Sequence, residues 1–400
     1  MEDLSIPAIV LNADITEPNN LTAAGINHPN CQGVLAVTNH DHTNLKIAVA
    51  SKLVNPRIPV ICRSEIQDEA NNMASFGTDA IINPYDTFAQ RLSLLTRNPS
   101  LHRLQSWFIN QHSIEHISGD ISAQGLPKGP WVICGFGRLG KAIQNQLSND
   151  DIKITIIDPN PDDNEAPANS IVGRGTEAKT LHEAGIANAS VVIAASDDDA
   201  NNLSVLITAK QLNKDITTIA RVSKEANHVL FEHANCDYIL RRSQIVANEA
   251  LTVISRPLVT KFIRLSSTLK KQETDGLIEQ ICKLTKNTDP ITWRLIVNQQ
   301  NAPALVRFIG QDRSLTIGDI SSNQRLIRSM CIPLLLQRGT NSHLLPEKDM
   351  TLKIGDEILL CGRRNTPMLA QQMAHNIELV DSLVNYNPCL LYTSPSPRDS

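Results

Sequence analysis

Short, uninterrupted apolar runs alternate with stretches of helical periodicity through the middle of the chain. WVIC (131–134) and KITII (153–157) are continuous runs of the kind expected of strands buried on both faces. Between them Leu139, Ala142, Ile143 and Leu147 recur at helical spacing and define one apolar face. Further strand-like runs follow at Ile171–Val172, Ser190–Ala195, Thr217–Ala220 and Tyr238–Leu240. This alternation predicts an α/β domain on a doubly wound parallel sheet. At Ser243 the pattern changes. A helical stretch runs to about Leu269, broken only at Pro257, and reads as a long crossover or dimerisation element. Residues 275–376 close in short strands punctuated by Gly, Pro and Asp (IPLLLQRG, then LPEKDMTLKIGDEILLCGR), which predict a small α+β or β-rich module.

The chain also repeats itself. LTAAGI (21–26) matches LHEAGI (181–186) at an offset of 160. Three later pairs match at an offset of 158: VLAVTNHDHTNL (34–45) with VIAASDDDANNL (192–203), IPVICR (58–63) with TTIAR (217–221), and TDAII (78–82) with CDYIL (236–240). Four matches in order predict tandem copies of one fold. The first copy has only about eight residues before its first matching segment, against about forty from Trp131 to Ile171 in the second. The expected organisation is therefore an incomplete first copy (1–118) lacking its opening strand, glycine turn and helix, a linker (119–130), a complete second copy (131–270) and a C-terminal module (275–378). A parallel sheet without its central strand leaves an edge unpaired, so an upstream truncation is expected. The last twelve residues, CLLYTSPSPRDS (389–400), resemble a translated transposase sequencing adaptor. The natural C-terminus is then expected elsewhere, and Met1 is expected to be internal.

Composition narrows the function classes. With 37 Lys+Arg against 41 Asp+Glu, net charge −4 and 4% aromatic residues, the chain lacks the basic, aromatic footprint of a nucleic-acid binder. Its eight cysteines are scattered, with no CxxC spacing, and are expected to be buried reduced thiols of a cytosolic protein. Neither a secretory leader nor an apolar run near the ~18 residues of a membrane span is visible, so no transmembrane segment is expected within these residues.

The candidate chemistry sits between the first strand and helix of the second copy. Gly135-Phe136-Gly137-Arg138-Leu139-Gly140 is a G-x-G-x-x-G in strand–turn–helix context. Gly135 permits the tight turn, Gly137 lets backbone amides approach a pyrophosphate, Gly140 allows close helix packing, and the helix N-terminus attracts negative charge. Asp158, 18 residues after Gly140, is placed to accept from adenosine ribose hydroxyls and would repel a 2′-phosphate. No Arg follows it, which favours NAD over NADP. Ser196 and Asp197 after the fourth strand, and Arg221 at the end of the fifth, are expected at the same crevice. Arg138 serves no purpose in the turn itself, so it is expected to point at phosphate, a neighbouring subunit or water.

Two other readings share this fold: an NAD-dependent oxidoreductase and a nucleotide-binding scaffold with no regulatory duty. No Tyr-x-x-x-Lys occurs for a dehydrogenase, and HSIEH (112–116) is not a zincin motif and reads as a solvated helix face. His40 and His42 flank Asp41 in what reads as a helix cap or loop.

Taken together, GFGRLG (135–140), Asp158, the LHEAGI helix, AASDDDANNL (194–203) and GDEILLCGR (355–363) resemble the RCK family. These are regulators of potassium conductance, also called TrkA-N domains, with a following TrkA-C module. The resemblance covers 9–95, 131–265 and about 275–376. It implies tandem Rossmann-like domains that bind NAD(H) or an adenine nucleotide (ATP/ADP) without catalysis and assemble as homo-oligomers. It also implies control of a potassium channel or transporter pore, in cis or in trans, from the cytoplasmic face of the membrane. In such relatives an Arg in the glycine turn can meet a terminal phosphate across a dimer interface, and Arg138 occupies that position. One departure is Gly173-Arg174-Gly175, where the family's third strand usually ends Gly-Asp. The short spacing between the copies, without an intervening TrkA-C module, points to the intracellular part of a single-chain channel.

Overall fold

The structure, a computed structural model, describes residues 10–109, 125–148, 150, 152–286, 288, 290–323 and 328–384. HSIEH, the first half of the 119–130 linker and the adaptor-like tail lie outside them. The chain forms two compact units, 1–103 with 113–256, and 104–112 with 257–400.

The first unit contains both repeat copies. In chain order the first contributes α1 (Pro18–Ala23), β1 (Val34–Ala36), α2 (Asp41–Val54), β2 (Val60–Arg63), α3 (Gln67–Ser75), β3 (Ala80–Ile82), α4 (Pro84–Arg97) and the start of α5 (Pro99–Ile109). The second contributes β4 (Trp131–Cys134), α6 (Arg138–Leu147), β5 (Ile154–Asp158), β6 (Ile171–Val172), α7 (Ala178–Glu183), β7 (Val191–Ala194), α8 (Asp199–Leu212), β8 (Thr217–Val222), α9 (His228–His233), β9 (Tyr238–Arg241) and α10 (Arg242–Ser255).

The second copy is a six-stranded parallel sheet in the order β6-β5-β4-β7-β8-β9, the doubly wound arrangement expected from the sequence. Its strands β4 and β7 are buried throughout, as continuous apolar runs between two helical layers must be. The first copy is the parallel sheet β1-β2-β3, whose register repeats the second at the 158-residue offset. Val34 lies opposite Val60 as Val192 lies opposite Thr218, and Ile61 opposite Ala80 as Ile219 opposite Tyr238.

The copies exchange their last helices. Tyr85, Phe88, Leu92 and Leu95 of α4, from the first copy, are fully buried with Trp131, Leu139, Ile143 and Leu147 of the second. Reciprocally, Val246 and Ala250 of α10 pack with Ile61 and Ile82 of the first copy. The crossover read at 243–269 is thus two helices, α10 and α11 (Pro257–Ser266), parted at Pro257 as expected.

In the second unit, Phe108 of α5 meets Phe262 of α11 with ring centroids 5.5 Å apart. After α12 (Lys271–Thr285), the strands β10 (Ile291–Ile296), β11 (Cys331–Arg338), β12 (Asn341–Leu344) and β13 (Glu357–Gly362) form an antiparallel sheet in the order β10-β13-β11-β12. The GDE of GDEILLCGR has a structural task here. Asp356 is fully buried and accepts from Arg338 Nε (2.8 Å) and Nη2 (2.7 Å) and from the Lys353 amide (2.8 Å). All described cysteines are free, and burial pushes the Cys62, Cys134, Cys236 and Cys331 thiols up to about 12.

Candidate functional site

Each glycine of the turn has a separate reason to be glycine. Gly135 has φ +103°, and a Cβ on it would stand 3.0 Å from the Ser196 amide nitrogen. A Cβ on Gly140 would fall 2.3 Å from the Gly135 carbonyl oxygen, so α6 approaches the strand end only because that atom is missing. Around Gly137, the N-cap of α6, a Cβ would meet nothing within 4 Å. That position faces open space, where backbone amides are accessible to an anion.

The turn borders a crevice of about 420 Å³ lined by Gly135, Gly137, Arg138, Asp158, Ser196 and Asp197, together with Lys141 and Asn164. Asp158 is buried at its floor. Its Oδ2 accepts from the Phe136 amide (2.7 Å) and its Oδ1 from the Asn160 amide (2.8 Å) and Asn164 Nδ2 (2.9 Å). The carboxylate therefore fixes the glycine turn as well as lining the crevice.

The remaining expected residues divide. Phe136 and Leu139 are buried in the core and Gly140 packs behind the turn, so they shape the crevice without lining it. Arg221 lies on the far side of Asp197, whose carboxylate its guanidinium contacts, and is 4% exposed. Ser196 is held by Asn202, whose Oδ1 accepts from its amide (3.0 Å) and hydroxyl (2.7 Å) while Nδ2 donates to the carbonyls of Ser196 and Arg221 (2.9 Å each). In the first copy Asn44 makes the same four bonds with Thr38 and Arg63. His40 precedes α2 without a side-chain cap bond, and Asp41 is tied to the Ser64–Ile66 loop.

Arg138 turns toward the first copy. Its guanidinium contacts the Glu65 carboxylate, which also contacts Arg63 and lies 3.2 Å from Arg242. The guanidinium carbons of Arg138, Arg221 and Arg242 stand 5.4, 5.3 and 5.9 Å from the Tyr85 ring centroid, and Arg242 donates to the Tyr85 hydroxyl at 3.1 Å. Burial pushes Glu65 up, but the Arg63 hydrogen bond and the charges of Arg63, Arg138 and Arg242 outweigh it and hold the carboxyl below its usual range. Burial lowers Arg221, and Arg242 and Arg138 add to that against Tyr85 and Glu65. Of this seam the repeat foretells only Arg63, the counterpart of Arg221. Glu65 and Tyr85 carry no local signal, and their counterparts are Ser223 and Ser243.

Residues 2–84 and 131–242 both match the TrkA-N domain. Both copies of the repeat are thus similar to TrkA-N domains. The Trk system potassium uptake protein TrkA homolog of Methanothermobacter thermautotrophicus is 34% identical over 143 residues, covering 34% of this chain and 64% of that protein. Potassium channel protein 1 of Methanocaldococcus jannaschii is 27% identical over 139 residues, covering 33% of this chain and 42% of that protein. The chain thus spans less than two thirds of the length of either relative. Among solved structures, the GsuK channel bound to NAD is 14% identical with a TM-score of 0.48, over 90% of this chain and 70% of that one. Of the two matched regions, only the second has a glycine turn among the described residues. At the departure from the family pattern, Gly175 has φ +73°, and a Cβ on it would stand 2.6 Å from Cys134 Sγ, so this loop needs glycine where it passes the end of β4.

Proposed function

We propose that the chain is the nucleotide-binding regulatory region of a potassium channel or transporter, acting by ligand-dependent rearrangement and without catalysis. The observation that carries the reading is the second TrkA-N crevice, with open backbone at Gly137 on a helix N-terminus and a carboxylate, Asp158, across from it. NAD(H) or an adenine nucleotide (ATP/ADP) fits this chemistry. The pyrophosphate would lie on Gly135–Gly140 with Arg138 at its end, the ribose at Asp158, and Ser196 and Asp197 on the opposite wall. Arg221 would act from behind Asp197. The likeness to Trk uptake and potassium channel proteins supports a pore as the partner, in cis or in trans, with assembly through these domains into a homo-oligomer. Among the described residues no helix is long and apolar enough to cross a membrane. We place the chain at the cytoplasmic face, where such a pore would be gated. The assignment of 1–118 as an incomplete domain, 131–270 as a complete one and 275–378 as a TrkA-C-like module belongs to the same proposal.

Ligand would favour one arrangement of the paired domains by differential affinity, worth about 1–3 kcal/mol in typical couplings. The test is calorimetric titration of the full chain with NADH, NAD, ATP and ADP while assembly size is followed. Binding that changes the assembly without turnover supports the proposal, whereas hydride exchange with metabolites would replace it with a dehydrogenase. It fails if Asp158→Ala and Gly137→Asp leave nucleotide affinity and ion flux unchanged.

A further inference from the structure

The seam between the two TrkA-N domains concentrates positive charge beside the crevice. Arg63, Arg138 and Arg242 gather around one buried carboxylate, Glu65, while Arg221 beside them pairs with Asp197, which is mostly exposed. Arg63 and Arg221 are 8% and 4% exposed, and the Nε of each is buried with no hydrogen-bond partner among the described residues. Guanidinium stays charged at any physiological pH, so such a cluster can accept a further anion. Arg138 belongs to both places: it lines the crevice and, with its side chain about half exposed, pairs with Glu65 of the first domain.

We propose that Glu65 is a built-in competitor for the ligand's phosphate, holding Arg138 in the ligand-free state and giving it up when a phosphate arrives at the start of α6. The inference rests on the crevice being a nucleotide site. Glu65 keeps Arg63 and Arg242 when Arg138 leaves, so the exchange does not strand a buried charge. It removes the Arg138 link across the seam, and occupancy of one domain is thereby communicated to the other. The discrimination falls on phosphate alone, because adenosine presents no anion to Arg138.

The experiment compares wild-type chain with Glu65→Gln by titration with ADP and with adenosine. ADP should bind the variant roughly tenfold more tightly, an advantage that shrinks as salt is raised, while adenosine affinity stays within twofold. In an Arg138→Gln background the same change should alter ADP affinity less than twofold. Equal or weaker ADP binding by Glu65→Gln overturns the proposal while leaving the nucleotide site standing. Failure of both proteins to bind ADP or adenosine overturns both. Should Glu65→Gln not fold, Glu65→Asp keeps the charge but shortens the reach to Arg138, and it must tighten ADP at least twofold or the proposal falls.

Discussion

Arg91 and Glu249 occupy the same position of the two copies, 158 residues apart in sequence, and pair with each other at 3.1 Å. They therefore stand where the exchanged helices α4 and α10 cross the axis relating the copies. In a symmetric pair of identical domains such a position would face itself, and like charges would repel. A tandem chain can place opposite charges there. Arg91→Glu should destabilise the first unit by about 1–3 kcal/mol, since it sets two carboxylates together in a half-buried seam. Combining it with Glu249→Arg should restore at least half of the loss in a denaturant titration. If the double reversal is no better than the single one, the pair does not hold the helices together.

Asn44 and Asn202 each make four hydrogen bonds that tie the loop after one strand to the end of the next strand. Replacing Asn202 with Ala leaves buried donors and acceptors without partners and should cost about 2–4 kcal/mol. Asn44→Ala should cost a similar amount. A loss below 1 kcal/mol at either position, by chemical denaturation, would show that water replaces the side chain readily.

The glycine turn separates folding from binding. Gly140→Ala forces a Cβ against the Gly135 carbonyl and should cost about 2–4 kcal/mol, visible as a drop in melting temperature. Gly137→Asp meets no obstruction and supplies an N-cap acceptor. Its melting temperature should stay within about 2 °C of wild type while affinity for ADP or NADH falls at least tenfold. The reverse pattern would mean that Gly137 is structural.

His102 gives the first unit an acid weakness. Its ring is buried with neither nitrogen hydrogen-bonded among the described residues; burial first, and the Arg91 charge second, lower it to about 3. The folded chain thus refuses a proton that the unfolded chain takes up below about pH 6.5. Stability from this group is complete above that pH and declines as pH falls toward 3, by at most ~1.4 kcal/mol per unit. His102→Leu should flatten the pH dependence of the unfolding midpoint between about pH 6.5 and 4.5. An unchanged slope would assign acid sensitivity to the carboxylates instead.

Much of this was legible in the sequence, because strands and glycine turns are local signals. The runs at 131–134 and 153–157, the break at Pro257 and the repeat offset all reappear as elements in register. What periodicity conveys is which face of a helix is apolar; it does not say against what the face packs. Phe88, Leu92 and Leu95 lie at helical spacing, and nothing in that spacing places them against Leu139 and Ile143 of the other copy. The site divides in the same way. The motif announced Gly135, Gly137 and Asp158, but Arg138 found its partner at Glu65, 73 residues away, and no spacing rule links those two. Arg221, expected at the crevice from its strand end, lies behind Asp197 and its guanidinium faces the seam.

The exchange of α4 between copies has a consequence for how the protein is made. Leu147, the last contact of α4 on α6, lies about fifty residues after Arg97, so at roughly 5–20 residues per second the helix waits several seconds for its binding surface to be translated. During that interval Phe88, Leu92 and Leu95 have nothing to cover them. The first copy cannot finish folding before the second emerges, which makes this stretch the natural point for a chaperone to hold the nascent chain and for misassembly between neighbouring ribosomes to begin.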